Sequence, residues 1–148
     1  MSIFGVGLRL ALYTGLYMFL MFVISFVFKD LFHFDLTLTM TYAICFWLFI
    51  GNVAFIISVY SLLTKFYDGE LITDGIFKYS RNPLYASFII FIAPSITALS
   101  GSFTLITTPI FMYFVFKHLI KSEEHDLSEA FGEDYEKYRK KTPLLLLF

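Results

Sequence analysis

Four apolar runs, separated by short polar connections, cover most of this chain: residues 10–28, 38–63, 84–99 and 103–120. About 20 helical residues cross the hydrocarbon core of a bilayer. Each run therefore predicts a membrane span, the third being the shortest. Pro94 and Pro109 lie inside the third and fourth runs. Membrane helices tolerate proline because neighbouring groups satisfy the carbonyls it frees. No small-residue cleavage site follows the first run, so it predicts a retained span rather than a removed signal peptide. The predicted fold class is all-α: an integral membrane protein with about four transmembrane helices, followed by C-terminal cytoplasmic amphipathic helices.

The polar connections refine this picture. Residues 29–35 predict a short interfacial turn with aromatic anchors, His33 among them. DGELITDGIF, residues 68–77, places two Asp-Gly turn signals around a β-prone patch and predicts an irregular loop. It leads into YSRNPLY at residues 79–85, where Asn82 is a favoured helix cap and Pro83 a favoured first helical residue. The third helix should start at Pro83, with free amides that suit a carboxylate or phosphate. Ser100-Gly101-Ser102 is the turn signal before the fourth run, which makes the two helices a tight antiparallel hairpin. Asn82 lies 19 residues before Gly101 and Glu123 lies 22 after it. At about 1.5 Å per residue the two differ by only ~4.5 Å along the hairpin. Pro94 and Pro109 fall nearly level, which predicts a shared bend and a cleft.

After Glu123-Glu124, the residues Leu127, Phe131, Tyr135 and Tyr138 recur on one face of an amphipathic helix. Gly132 is expected to divide it into two short helices. Lys137, Arg139, Lys140 and Lys141 read as an anchor on anionic membrane lipid. Residues 144–148 are too few to span and are expected to dip into the interface.

Length and composition then limit the function. The 148 residues suit one membrane domain, with 1–63 holding two spans and 64–148 the loop, the hairpin and the amphipathic helices. A hydrophobic fraction of 58% and a net charge of −1 give no nucleic-acid surface. The single Cys45 excludes an internal disulfide and a multi-cysteine metal site, and the three histidines form no ligand pair. Arg9, Lys65, Lys78, Arg81 and the basic residues from Lys117 to Lys141 fall on one side of a four-span topology, and only Lys29 on the other. That bias predicts cytoplasmic termini, in the cell inner membrane if the source is prokaryotic.

GIFKYSRNPLYAS and, after the two-helix interval, EEHDLSEAFGEDYEKYRKKTP together resemble the isoprenylcysteine carboxyl methyltransferase family and the related phospholipid methyltransferases. Their signature reads approximately G-x-[YF]-x-x-x-R-[HN]-P-x-Y-x-G, then E-E-x-x-L-x-x-x-F-G-x-x-Y-x-x-Y after the hairpin. The resemblance covers residues 69–143. It implies an integral membrane enzyme using S-adenosyl-L-methionine to methylate a lipid-like or small lipophilic substrate. The cofactor contacts it implies are Leu71, Ile72 and Phe77 in the loop, Arg81, Asn82, Pro83, Leu84 and Tyr85 at the helix start, and Glu123 on the fourth helix. No catalytic residue is singled out: the sulfonium is already activated, so the protein mainly aligns the reactants. Three positions depart from the pattern. Asn82 replaces the histidine of the prenylcysteine enzymes, Ser87 replaces a glycine, and Leu119 replaces an arginine that holds a substrate carboxylate.

Two other readings compete. A membrane sterol-type reductase has a similar arginine-histidine-proline step, but more spans and a different terminal motif. A non-enzymatic four-helix transport or assembly protein should carry an ionisable residue deep in a span, and between Leu84 and Ile120 there are only Lys117 and its neighbour His118, near the end. The topology is testable. A cysteine placed at position 68 in a Cys45→Ala background should react with impermeant reagents from the cytoplasmic side only, and labelling from outside would overturn it.

Overall fold

The computed structural model describes residues 5–65 and 71–146. Position 68, most of the turn-rich stretch before Leu71 and the last two residues of the terminal leucine run lie outside the described residues. The fold is all-α as expected, with no strand among the described residues. Its helices are α1 (Gly5–Val27), the single turn α2 (Lys29–Phe32), α3 (Leu38–Lys65), α4 (Pro83–Leu99) and α5 (Phe103–Lys141). Three of them, α1, α3 and α5, are long and apolar enough to cross a membrane, while α4 is apolar but shorter.

The hairpin of α4 and α5 forms the centre. Gly101 turns it at a φ of 65°, in the left-handed region where glycine has no steric penalty. A Cβ there would also stand 2.8 Å from the Phe34 carbonyl oxygen. The close approach has a purpose, because the Phe34 N–H donates to the Gly101 carbonyl at 2.8 Å and ties the first connection to the turn. Ser102 caps α5, its hydroxyl accepting from the Leu105 N–H.

Helix α1 lies along α5. The Tyr17 ring stacks on Phe111 with centroids 4.1 Å apart, and its hydroxyl is 2.9 Å from that of Thr107. The hydroxyls of Ser25 and Ser102 meet at 2.7 Å, and Thr104 donates to the Met21 carbonyl at 3.2 Å. Packing and interhelical hydrogen bonds of this kind hold helices together where lipid supplies no hydrophobic drive.

Helix α3 lies along α4, and here the sequence expectation needs correcting. The two prolines do not share a break in dihedrals: α5 keeps helical dihedrals through Pro109, and the π distortion falls in α4. Residues Ser87–Ile92 form a π-helical turn, with the Ala93 N–H bonding the Phe88 carbonyl five residues back. Pro94 cannot donate, so the register ahead of it relaxes. The Trp47 indole of α3 donates to the Ile90 carbonyl at 3.1 Å, and the Ser95 hydroxyl to that of Phe91 at 2.7 Å. A neighbouring helix, a hydroxyl and a local π turn are the devices that make intramembrane proline affordable.

Two further expectations change. Helix α5 runs unbroken from the fourth apolar run to a kink at Gly132 (φ 53°, ψ −126°), so span and first amphipathic segment are one rod. The terminal leucines do not merely rest at the interface. Leu145 is 1% exposed and packs in the cluster of Leu10, Ala86, Phe116 and Ile120, because Thr142 ends the helix and turns the chain inward.

The contact of α3 with the π turn depends on Gly51, where a Cβ would collide with Phe91 Cβ and stand 3.1 Å from Ile92 Cγ1. Overpacking typically costs about 1–3 kcal/mol. Gly51→Ala should therefore lower the thermal midpoint in detergent, while Gly15→Ala, with nothing within 4 Å, should not. Equal midpoints for the two variants would show that the contact is loose.

Candidate functional site

The start of α4 and the last apolar turns of α5 meet as the equal lengths around Gly101 require. Arg81 Nη1 lies 2.6 Å from Glu124 Oε1, with the two side chains only 10% and 12% exposed. They form a close ion pair, not an aligned hydrogen bond, and the Arg81 Nε also lacks a hydrogen-bond partner. The same carboxylate accepts from the Tyr135 hydroxyl at 3.4 Å and has Arg139 Nη2 at 4.0 Å. Burial pushes the Tyr135 hydroxyl up to about 12, with Glu124 adding to the rise, so it stays protonated and able to donate.

The backbone around this pair is fixed by the segment that follows α5. The Arg81 N–H donates to the Pro143 carbonyl at 2.9 Å. The Leu144 carbonyl accepts from the Ser80 hydroxyl at 3.3 Å and the Asn82 amide at 3.4 Å. This corrects the role expected of the Asn82 side chain. Asn82 occupies the cap position, with Pro83 next as expected, but its side chain makes no capping bond and reaches the C-terminal segment instead. The Ser80 hydroxyl accepts from the Asn82 N–H at 3.1 Å, closing a tight turn ahead of the helix.

Tyr85, one turn into α4, packs its ring against Phe116 of α5 at 5.0 Å. Glu123 stands close enough to Tyr85 to act on it electrostatically. Just past the apolar run, it has no hydrogen bond or ion pair among the described residues. Burial first, then the charges of Asp126 and Glu124, raise its carboxyl above the usual range. The two adjacent glutamates thus have different environments, because neighbouring helical residues point about 100° apart. Ser122, just before them within α5, donates its hydroxyl back to the Leu119 carbonyl at 2.9 Å.

The other residues singled out from sequence spread along the same wall. Phe77 is buried in a 3-10 turn, Gly75–Lys78, and its carbonyl accepts from the Tyr138 hydroxyl at 2.7 Å. Pro83 is buried, and Leu84 is half-buried with its carbonyl taken by the Ser87 hydroxyl at 2.7 Å. Ile72 is half-buried in the loop. Leu71 lines an open cleft of about 810 Å³ together with Phe131 and Tyr138, not with Tyr85 or Glu123. The structure therefore joins residues 81–85 with the acidic pair, and ties Phe77 to the second amphipathic segment through Tyr138. Sequence reasoning left out Ser80, Tyr135 and Tyr138 as site-building residues. The two tyrosines were visible as a helix face, but their hydroxyl partners come from distant segments.

Residues 55–129, just over half of the chain, match the model of the isoprenylcysteine carboxyl methyltransferase (ICMT) family, and the chain belongs to that family. With its apolar helices, this makes it a membrane protein. It is 36% identical over 76 residues to protein-S-isoprenylcysteine O-methyltransferase of Schizosaccharomyces pombe, covering 51% of this chain and 32% of that protein. It is 28% identical over 74 residues to protein-S-isoprenylcysteine O-methyltransferase B of Arabidopsis thaliana, covering 50% and 38%. Methanethiol S-methyltransferase of Crocosphaera subtropica is 36% identical over 78 residues, covering 51% and 29%. The chain spans about a third of the length of these curated relatives. No solved structure matches it.

The unequal glutamates predict opposite stability effects. Removing one partner of a buried ion pair costs about 3–5 kcal/mol, so Glu124→Gln should lower the thermal midpoint clearly. Glu123→Gln should hold or raise it near neutral pH, because the folded state disfavours the Glu123 charge. A raised folded-state pKa makes protonation favour folding. The wild type should therefore approach the Glu123→Gln variant as pH falls through that raised pKa. Equal losses for both variants at neutral pH would contradict the assignment.

Proposed function

We propose that this chain transfers a methyl group from S-adenosyl-L-methionine to a lipid-like or small lipophilic acceptor at the cytoplasmic membrane face. The observation that carries the reading is the unpartnered Glu123 carboxylate beside Tyr85, at the junction the family motif marks. Family membership and relatives named as methyltransferases support the reaction class. The Lys/Arg bias supports the cytoplasmic face.

The donor set fits such a cofactor. Glu123 offers a carboxylate with free acceptor capacity, suited to an amino or ribose hydroxyl group. Tyr85 on Phe116, with Phe77 nearby in the motif, supplies aromatic surface for a purine. The first amides of α4 after Pro83 suit a carboxylate. Leu71 and Ile72 would close the loop side, with Asn82 and Leu84 at the helix start. When bound, S-adenosyl-L-methionine supplies a methyl group already activated on a cationic sulfur.

The protein then has to position and to exclude water. The Arg81–Glu124 pair fixes the start of α4 against α5, so that Tyr85 and Glu123 keep their relative places. Tyr138, raised in pKa mainly by burial and so protonated, holds the loop through the Phe77 carbonyl. Alignment of reactants in a dry site is the main contribution such an enzyme needs to make. The acceptor atom is left open by relatives named for both O- and S-methylation. Leu119 packs against the apolar cluster, while His118 and Lys121 on the same helix turn are exposed.

Calorimetry with S-adenosylhomocysteine in detergent tests the site, with NADPH as the comparison ligand. A charge-assisted hydrogen bond is worth about 1.5–3 kcal/mol, so Glu123→Gln should weaken binding about ten- to a hundredfold in a protein that remains folded. Wild-type affinity in that variant would remove Glu123 from the site, and binding of NADPH alone would remove the reaction.

A further inference from the structure

The basic residues near the C-terminus are not equivalent once folded. Lys137 is occupied by Glu133 at 3.6 Å and Asp134 at 3.5 Å. Arg139 lies 3.6 Å from Glu136 and reaches toward Glu124. Lys78, Lys140 and Lys141 make no ion pair among the described residues. Two of these three, Lys78 and Lys141, line the same cleft of about 810 Å³, one from the 3-10 turn and the other from the end of α5. Lys140 does not line it. The one carboxylate among the described residues of the cleft wall, Asp134, lies 3.5 Å from Lys137.

The depth of the cleft follows from the chain that leaves it. Four residues after Lys141, Leu145 is buried among Phe116 and Ile120 at the end of the fourth apolar run. Lys141 therefore stands where apolar helix gives way to water. Leu71 and Phe131 add apolar surface beside the two ammonium groups. A soluble anion would have no use for those side chains, whereas a lipid offers a phosphate to the lysines and its glycerol region to Leu71 and Phe131.

We infer that the cleft between residues 71–78 and 131–142 is a binding site for the phosphate headgroup of an anionic membrane phospholipid, held between Lys78 and Lys141. This differs from a diffuse basic anchor along α5, because one of the two cations comes from the loop before α4. It shares Leu71 with the proposed cofactor site but rests on two cations, Lys78 and Lys141, that the methyl-transfer reading does not use.

Native mass spectrometry of the full chain in detergent, with added dioleoyl phosphatidylglycerol or dioleoyl phosphatidylcholine, reads the site directly. A lysine near an anionic lipid surface contributes about 1 kcal/mol, or roughly fivefold in affinity. Lys78→Gln and Lys141→Gln should each reduce phosphatidylglycerol retention about fivefold, part of the way to the phosphatidylcholine level. Lys140→Gln should leave it within about twofold. All three side chains are exposed, and unchanged thermal midpoints will confirm that the variants fold. Equal losses from all three variants would mean a diffuse anchor and overturn the site, as would equal retention of the two lipids by the wild type. Displacement of phosphatidylglycerol by millimolar inorganic phosphate would make the ligand a soluble anion and overturn the lipid assignment. If Lys78→Gln and Lys141→Gln instead weakened S-adenosylhomocysteine binding by as much as lipid binding, the lysines would belong to the methyl donor and not to a lipid.

Discussion

A buried ion pair between Arg81 and Glu124 sets the geometry of everything on this side of the protein. The two residues stand on the two arms of the α4–α5 hairpin, and they meet because the stretches from Arg81 to Gly101 and from Gly101 to Glu124 are nearly equal in length. Taking two charges out of water is expensive, and the cost is recovered only with good partners around them. Here Tyr135 and Arg139 add to the Glu124 carboxylate, while the Arg81 backbone is held by Pro143. A pair of this kind is weak evidence for high stability. It is better read as a registry device, because a slipped hairpin would leave an uncompensated charge at the membrane surface.

That registry separates the roles of two adjacent glutamates. With Glu124 turned to Arg81, the helix turns Glu123 toward Tyr85, where no cation answers it. Fixing the scaffold with one carboxylate and leaving its neighbour available links local helix geometry to the proposed chemistry. The segment after α5 completes the arrangement. Leu145 is anchored in the apolar cluster while the Pro143 and Leu144 carbonyls receive the donors of residues 80–82. Core packing and polar positioning are thus done by neighbouring residues of one short strap.

Much of this could be read from the sequence because membrane patterning is coarse and turn chemistry is specific. Apolar runs located α1, α3, α4 and α5, and Ser100-Gly101-Ser102 located the hairpin. The spacing brought the RNPLY turn to the acidic pair. The parts that could not be read have a common cause: they depend on contacts between distant segments. Asn82 has the composition of a cap, yet its amide goes to Leu144, which no local rule could identify. Terminal leucines look interfacial until a helix end at Thr142 aims them into a groove. Two prolines at one level suggested a joint bend. The π distortion falls in α4 only, where the Trp47 indole satisfies the Ile90 carbonyl that Pro94 frees.

The π turn of α4 ties these observations together. An α-helix starting at Pro83 would present a single continuous face, but α4 must serve two neighbours. Its first turn has to bring Tyr85 onto Phe116 of α5, and its middle has to pack on α3 at Gly51. A π turn accommodates an extra residue per turn and so changes which side chains share a face before and after it. In this chain it begins at Ser87, two residues after Tyr85, and ends just before Pro94 removes a donor in any case. The register change therefore falls where the helix ladder is already weakened, and its cost is shared with the proline. The Ser87 hydroxyl, standing where the family pattern has glycine, bonds the Leu84 carbonyl at the point of change. A side chain is tolerated there because it is buried and takes part in the altered hydrogen bonding of the helix instead of pressing on a neighbouring one.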